Sequence, residues 1–333
     1  MGGDFAPANT VAGAMDAIRE SGGRFSVVLV GQQERISVEL QKPGNHIPAA
    51  QRDQLCSIIN ATEIIEMHDS PTAALKTKRD SSITVGLTAH KDRKVDAFVS
   101  AGNTGAVMSA STLILGRVNG VGRPTIGALV PTVKDPCLLV DAGANVDCRP
   151  RHLFEFGVMG SIYVGAMLGR TLPRIALLSI GEEDVKGNEV TFEAMTLFKK
   201  SKLNFIGNVE GRDVLKGDAD VIVCDGFVGN ILLKFGESVP EFFKAKFKAF
   251  ASRNVANKLT ALVARKGMRA VMKELDYQEH GGVPLLGVNG VSIIGHGRST
   301  PKAIKNMIYR AEEMVRRRVS ALIQNTMLEY SQI

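Results

Sequence analysis

The chain has 333 residues, of which 5% are aromatic and none is tryptophan, and it carries a formal net charge of +7. So few rings exclude binding of single-stranded nucleic acid by base stacking, and the positive balance asks instead for an acidic protein, a phosphate-bearing substrate or an anionic membrane surface. Cys56, Cys137, Cys148 and Cys224 show no CxxC or zinc-ligand spacing, and no apolar run reaches the roughly 20 residues of a membrane span, which predicts a reduced cytoplasmic protein without a structural metal.

Strand-like apolar runs fall at 25–30, 55–59, 97–100, 125–130, 137–140, 175–180, 204–207, 221–224 and 291–294, separated largely by helical patterns. Repeated βα units predict one α/β catalytic unit over 1–333, with a mainly parallel sheet covered by helices on both faces in three layers, α/β/α. The most loop-like stretch, 43–51, carries no sign of a domain boundary. Ligands of such sheets bind beyond the carboxyl ends of the strands.

Four glycine-and-amide loops stand at those ends: Ser100-Ala-Gly-Asn-Thr-Gly-Ala106, Asp141-Ala-Gly-Ala-Asn145, Gly181-Glu-Glu-Asp-Val-Lys-Gly187 and Asp225-Gly-Phe-Val-Gly-Asn230. A strand that ends in Gly and Asn and feeds a helix exposes backbone N–H groups at the positive helix end, where phosphate oxygens are held. The four are expected to converge along one sheet edge as a composite anion site.

Asn103, Thr104 and Gly105 are the first candidates for phosphate contacts, a helix cap with a tight turn being the plainer explanation. Gly3 and Asp4 are similar, because Asp4 either orients a donor or closes an Asx-turn. Lys186 follows Glu182 in an acidic loop beyond a strand, which makes it a cation for the phosphate or a carbonyl oxygen, or an ordinary surface ion-pair lysine. Asp141 and Asp225 end strands and either hold a catalytic lysine or cap the next turn. Asn145, Gly229 and Asn230 complete the amide set. His296 precedes a helix start with Arg298 and Ser299, where it is expected to be a general acid or a packed ring and its neighbours ligands of phosphate or of a phosphate-bearing substrate arm. The other histidines, His280 among them, form no pattern.

Segment 236–275 begins with Ser238, Pro240 and Glu241 as helix-start signals. Phe243, Phe247 and Phe250 share a face there, and Val255, Leu259, Leu262, Val263, Met268, Val271, Met272 and Leu275 keep helical spacing among Arg253, Lys258, Arg265, Lys266, Arg269 and Lys273. This predicts a protruding basic amphipathic hairpin, either a dimer-forming helix pair or a tip that meets anionic lipid or an acidic carrier protein. Ser299-Thr300-Pro301 then starts a terminal helix with the stripe Ile304, Ile308, Ala311, Val315, Val319 and Leu322, and with Arg316, Arg317 and Arg318 in solvent.

Taken in order, Met1-Gly-Gly-Asp4 with Pro7, the four loops, Gly281-Gly-Val-Pro-Leu-Leu-Gly287 and His296-Gly-Arg-Ser299 closely resemble the bacterial phosphate acyltransferase family of phospholipid synthesis, through almost the entire chain. The resemblance implies an isocitrate/isopropylmalate dehydrogenase-like fold, a homodimer and no cofactor. It also implies transfer of a fatty acyl group from acyl carrier protein to inorganic phosphate, with the acyl phosphate passed to a membrane glycerol-3-phosphate acyltransferase. Family chains usually carry a short apolar strand before Met-Gly-Gly-Asp, so its absence here predicts an exposed sheet position and lower stability. Phosphate is itself an anionic attacker, so direct transfer is expected and a cysteine nucleophile is unnecessary. The rivals are a short-chain phosphotransacetylase using coenzyme A, a dehydrogenase on the related scaffold, and a non-catalytic phosphate-binding scaffold. The absence of GxGxxG before a helix and of GxxxxGK[ST] disfavours nucleotide use.

Overall fold

A computed structural model of the protein describes residues 1–274 and 281–330. In chain order its elements are α1 (Ala8–Ser21), β1 (Val27–Gly31), α2 (Gln33–Leu40), α3 (Ala49–Leu55), β2 (Cys56–Asn60), α4 (Pro71–Thr77), α5 (Ser82–Lys91), β3 (Ala97–Ser100) and α6 (Thr104–Ile114). They continue as β4 (Thr125–Val130), β5 (Cys137–Val140), α7 (Pro150–Leu168), β6 (Ile175–Leu178), α8 (Glu189–Lys200), β7 (Phe205–Val209) and β8 (Val221–Val223). The last are α9 (Gly226–Ala251), α10 (Val255–Glu274), β9 (Val283–Leu286), β10 (Val291–Ile294), α11 (Pro301–Arg316) and α12 (Val319–Glu329).

Eight strands form one sheet in the order β3-β10-β9-β4-β5-β8-β6-β7, while β1 and β2 pair separately and in parallel. The sheet is mostly parallel, but β9 runs against both β10 and β4, and β4 runs against β5. Two local features cause this. The connection 131–136 between β4 and β5 is shorter than the dozen or so residues a parallel crossover needs, so the chain turns straight back. Strand β9 is absent from the runs read in the sequence, and it carries Pro284, a residue type that ordinarily argues against a central strand. Burial decides there, since Pro284, Leu285 and Leu286 are all enclosed.

Helix α7 fills the layer against β5 and β8 and is apolar nearly all round, with Phe154, Phe156, Val158, Met159, Tyr163 and Val164 buried. Phe154 meets Phe198 of α8 edge to face at 5.2 Å between ring centres. Full burial of each such side chain contributes about 1.5–3 kcal/mol, which makes this layer the rigid support of the β5, β8 and β6 ends. Between β1 and β3, which do not pair, lies a cavity of about 520 Å³ lined by Val27, Leu29, Val95 and Val99, with Gly86 and Ile308 among its other walls.

Two helical readings are corrected. The helix expected to start at Ser238 begins at Gly226 and runs on through Pro240. Asp225 caps it by accepting from the Val228 N–H at 2.8 Å, and the Ser238 hydroxyl bonds back to the Phe235 carbonyl at 2.6 Å instead of capping. Gly236, whose carbonyl the proline leaves without a donor, is exposed to water. Helices α9 and α10 pack on each other, and Leu275 and His280 lie outside the described residues. The terminal helix is divided, because Arg318 adopts a left-handed φ of 54° while Arg317 donates to the Ala166 carbonyl at 2.7 Å. The buried stripe therefore continues through Val319, Ile323 and Met327, and Leu322 stays 42% exposed.

Candidate active site

Strand direction divides the loops. Strands β3 and β10 point their carboxyl ends to one sheet edge, and β5, β8 and β6 to the other. Loops 141–145, 181–187 and 225–230 thus share an edge, whereas 100–106 stands with His296 and Ser299 at the opposite one. The two groups touch a common hydrophobic cluster that contains Ala106 and Ala142, with Ala144 and Leu233 at its margin.

Asp141 organises the first edge. It is fully buried, and its carboxylate accepts from the N–H groups of Gly143 at 3.1 Å, Ala144 at 2.9 Å and Asn145 at 2.7 Å, and from Asn145 Nδ2 at 2.8 Å. Burial pushes this carboxyl above its ordinary value while those donors pull against it. The amides of 143–145 are thereby spent on Asp141, and those of Asp141 and Ala142 on the carbonyls of Cys224 and Ile126, not on an external oxyanion. The Val140–Asp141 peptide is cis. Asn145 also donates to the Pro124 carbonyl at 2.8 Å and accepts the Gly226 N–H at 2.7 Å, which joins this loop to the start of α9.

Asp225 is the cap of α9, and Gly229 sits one turn in, where a β-carbon would collide with the Asp141 carbonyl. Only glycine lets the helix end come this close. Asn230 is exposed beside Gly143. The third loop turns tightly, with the Lys186 N–H donating to the Glu183 carbonyl at 2.9 Å. Lys186 and Glu182 are exposed, and Glu182 lies 3.8 Å from Arg212. Among the described residues, no ion pair or hydrogen bond joins Lys186 to Asp141 or Asp225. Sequence reading passed over Asn208, whose Nδ2 donates to the carbonyls of Glu183 and Lys186. The predicted strand ended one residue too early to include it.

At the other edge Asn103 is 6% exposed and caps α6 by accepting the Ala106 N–H at 3.0 Å. Its Nδ2 faces the carbonyls of Glu66 at 3.2 Å, Met67 at 3.2 Å and Asp69 at 3.0 Å, so this side chain is used up in holding the loop. Thr104, exposed, and Gly105 carry first-turn N–H groups with no acceptor among the described residues. Gly3 fits under the Ala101 carbonyl, 2.8 Å from where a β-carbon would lie, and Asp4 donates its N–H to the Gly297 carbonyl at 2.9 Å. The Asp4 carboxylate is 4.0 Å from Arg298, whose side chain is 77% exposed. His296 Nδ1 accepts the Arg298 N–H at 3.2 Å, and the buried Ser299 hydroxyl donates to the His296 carbonyl at 2.6 Å.

The thiols nearest the first edge are poor nucleophiles. Burial, with the Asp141 and Asp225 carboxylates, pushes Cys148 up to about 12 and Cys224 well above its ordinary value, so both stay protonated at neutral pH.

Residues 1–322 match the family model described as fatty acid synthesis protein. The phosphate acyltransferase of Dictyoglomus turgidum (strain DSM 6724 / Z-1310) is 47% identical over 325 residues, covering 97% of this chain and 94% of that one. That of Chlorobaculum parvum (strain DSM 263 / NCIMB 8327) is 46% identical over 333 residues, covering 97% and 96%. Among solved structures, a phosphotransacetylase from Streptococcus pyogenes shares the fold at 17% identity and a TM-score of 0.59, covering 91% of each chain. A branched-chain phosphotransacylase from Enterococcus faecalis V583 does so at 13% and 0.58, covering 94% of this chain and 96% of that one. Identity near one residue in two along nearly the full length leaves one conclusion: the chain belongs to the phosphate acyltransferase family and is an acyltransferase.

Proposed function

We propose that the enzyme moves a long-chain fatty acyl group from acyl carrier protein to inorganic phosphate, by direct attack of a phosphate oxygen on the thioester carbonyl carbon. The carbon–sulfur bond breaks, the thiolate leaves on the carrier's arm, and acyl phosphate is released for a membrane glycerol-3-phosphate acyltransferase. One conjunction carries the reading: the N–H groups of Thr104 and Gly105, without an acceptor among the described residues, offer an oxyanion seat, while the half-buried Cys148 and buried Cys224 are held protonated and are poor competitors to phosphate as nucleophile.

In this mechanism Thr104 and Gly105, held by Asn103 and flanked by Gly3, Asp4, Arg298 and Ser299, seat the phosphate. Lys186 stabilises charge on the thioester oxygen, with the exposed Asn230 as a neutral donor, while Asn145, whose amide hydrogens go to Pro124 and Asp141, holds the loop. Asp141, Asp225, Glu182 and Gly229 shape that edge, and His296 protonates the leaving thiolate. The reading requires the two groups to close on one substrate across the cluster they share. The scaffold is a single three-layer α/β/α unit of the isocitrate/isopropylmalate dehydrogenase type, with 236–275 as an inserted hairpin.

The exposed Phe242, Phe243, Leu259 and Leu262 of α9 and α10 support a homodimer contact, and the basic residues between them support docking of the acidic carrier or of anionic lipid. No helix among the described residues is long and apolar enough to cross a membrane, so the lipid contact in this reading is peripheral, made from the cytoplasm. The test is thiol release from three mixtures. Long-chain acyl carrier thioester with phosphate is expected to react, and omission of phosphate is expected to stop it. Acetyl coenzyme A with phosphate is expected to be poor; a preference for it would replace this reading with a short-chain phosphotransacetylase.

A further inference from the structure

We propose that Asn208 is a positioning residue for Lys186, an inference that rests on reading Lys186 as the cation of the reaction site. Asn208 sits on β7 opposite Leu177 of β6 and is 6% exposed. Its Nδ2 donates to the Glu183 carbonyl at 3.1 Å and the Lys186 carbonyl at 3.3 Å, and Ser179 Oγ donates to the same Lys186 carbonyl at 3.2 Å. Both ends of the tight turn 183–186 are gripped by one amide reaching over from the neighbouring strand. That grip sets the direction in which the Lys186 side chain leaves the loop.

Two of the acidic neighbours, Glu182 and Asp184, are paired elsewhere. Glu182 is drawn toward Arg212 at 3.8 Å, and Asp184 pairs with Lys199 at 2.5 Å. The orientation of the Asn208 amide follows from its partners, because turned over it would press Oδ1 against two carbonyl oxygens. As it stands, Oδ1 is buried without a partner among the described residues. An unpaired buried acceptor destabilises a fold, so this residue serves the loop it holds more than the core it occupies.

The experiment compares Asn208→Asp, Lys186→Ala and the double variant in the full-length enzyme, with long-chain acyl carrier thioester and phosphate as substrates. A carboxylate at position 208 keeps the shape but cannot donate, so kcat falls roughly 10–100-fold while KM for phosphate moves by no more than about threefold. Lowering the pH restores part of kcat in Asn208→Asp alone, because the protonated carboxyl donates again. The double variant is no slower than Lys186→Ala, since Asn208 acts through that lysine. Ser179→Ala removes the second grip on the Lys186 carbonyl from a partly exposed position, and it gives a smaller loss of the same kind should Asn208→Asp fail to fold. Normal turnover with an unchanged pH profile in Asn208→Asp, losses that multiply in the double variant, or unaltered turnover in Ser179→Ala would each overturn the inference. Unimpaired Lys186→Ala would instead remove the lysine itself from the site, and that outcome is distinct.

Discussion

At the scale of single residues, carboxylates and amides that look like ligands in the sequence turn out to be organisers. Asp141 is the clearest case, a buried anion surrounded by the amides of its own loop. Its truncation, Asp141→Ala, leaves those donors facing a void and is expected to cost roughly 3–5 kcal/mol, read by urea unfolding; a loss below about 1 kcal/mol would mean the loop does not depend on it. Lys186 is the opposite case, exposed and, among the described residues, hydrogen-bonded through its backbone and not its side chain. Lys186→Ala should therefore lower kcat by roughly 100-fold or more with almost no change in unfolding midpoint. Equal activity in the variant would take Lys186 out of the site. The motif residues were readable because Gly, Asn and Asp at strand ends mark turns and helix caps at the place where ligands of an α/β sheet bind. Whether each amide faced a ligand or its own loop was not readable, since that depends on main-chain conformation within the turn, and Asp141 and Asn103 had filled their own turns.

At the scale of elements, ion pairs tie strand starts together on the side away from the Asp141 loop. Arg174, just before β6, donates through Nε and Nη2 to Asp220, just before β8, at 3.0 Å each. Burial alone would raise the Asp220 carboxyl, yet the Arg174 bonds hold it below the ordinary carboxylate range. A folded value below the unfolded one means stability that is fully present above about pH 4 and lost as the pH falls through the folded value. Asp220→Asn should be less stable than the parent by about 2 kcal/mol at pH 7, with the gap narrowing toward pH 3 in acid-urea titrations; a gap independent of pH would show that the charge is irrelevant. The helices of this chain were legible where caps were strong, as at Thr300, and misjudged where Pro240 resembled a start. A proline breaks a helix only if packing cannot tolerate the lost bond, and Gly236, whose carbonyl loses it, is exposed to solvent.

At the scale of the whole molecule, the α/β class and every strand read from the sequence were available from apolar runs and the loops that end them. Strand direction was not. It turned on the short 131–136 connection and on β9, which is absent from the runs read in the sequence, and those two features decide which loops share an edge. The role proposed for the positive charge belongs to this scale too. Reversing Arg265, Lys266 and Arg269 to glutamate should weaken binding to anionic vesicles, or to the acidic carrier, by roughly 100-fold at low salt, since each basic residue near such a surface contributes about 1 kcal/mol. Unchanged binding to both would leave α9 and α10 as a subunit contact alone. Above all, the proposed mechanism requires phosphate itself to be the attacking group. A rapid-mixing experiment with long-chain acyl carrier thioester, followed by intact-protein mass measurement, tests this: without phosphate the protein keeps its unmodified mass and the thioester persists, and adding phosphate yields acyl phosphate in one step. An acyl adduct on the protein that forms before phosphate arrives and is discharged by it would contradict the account.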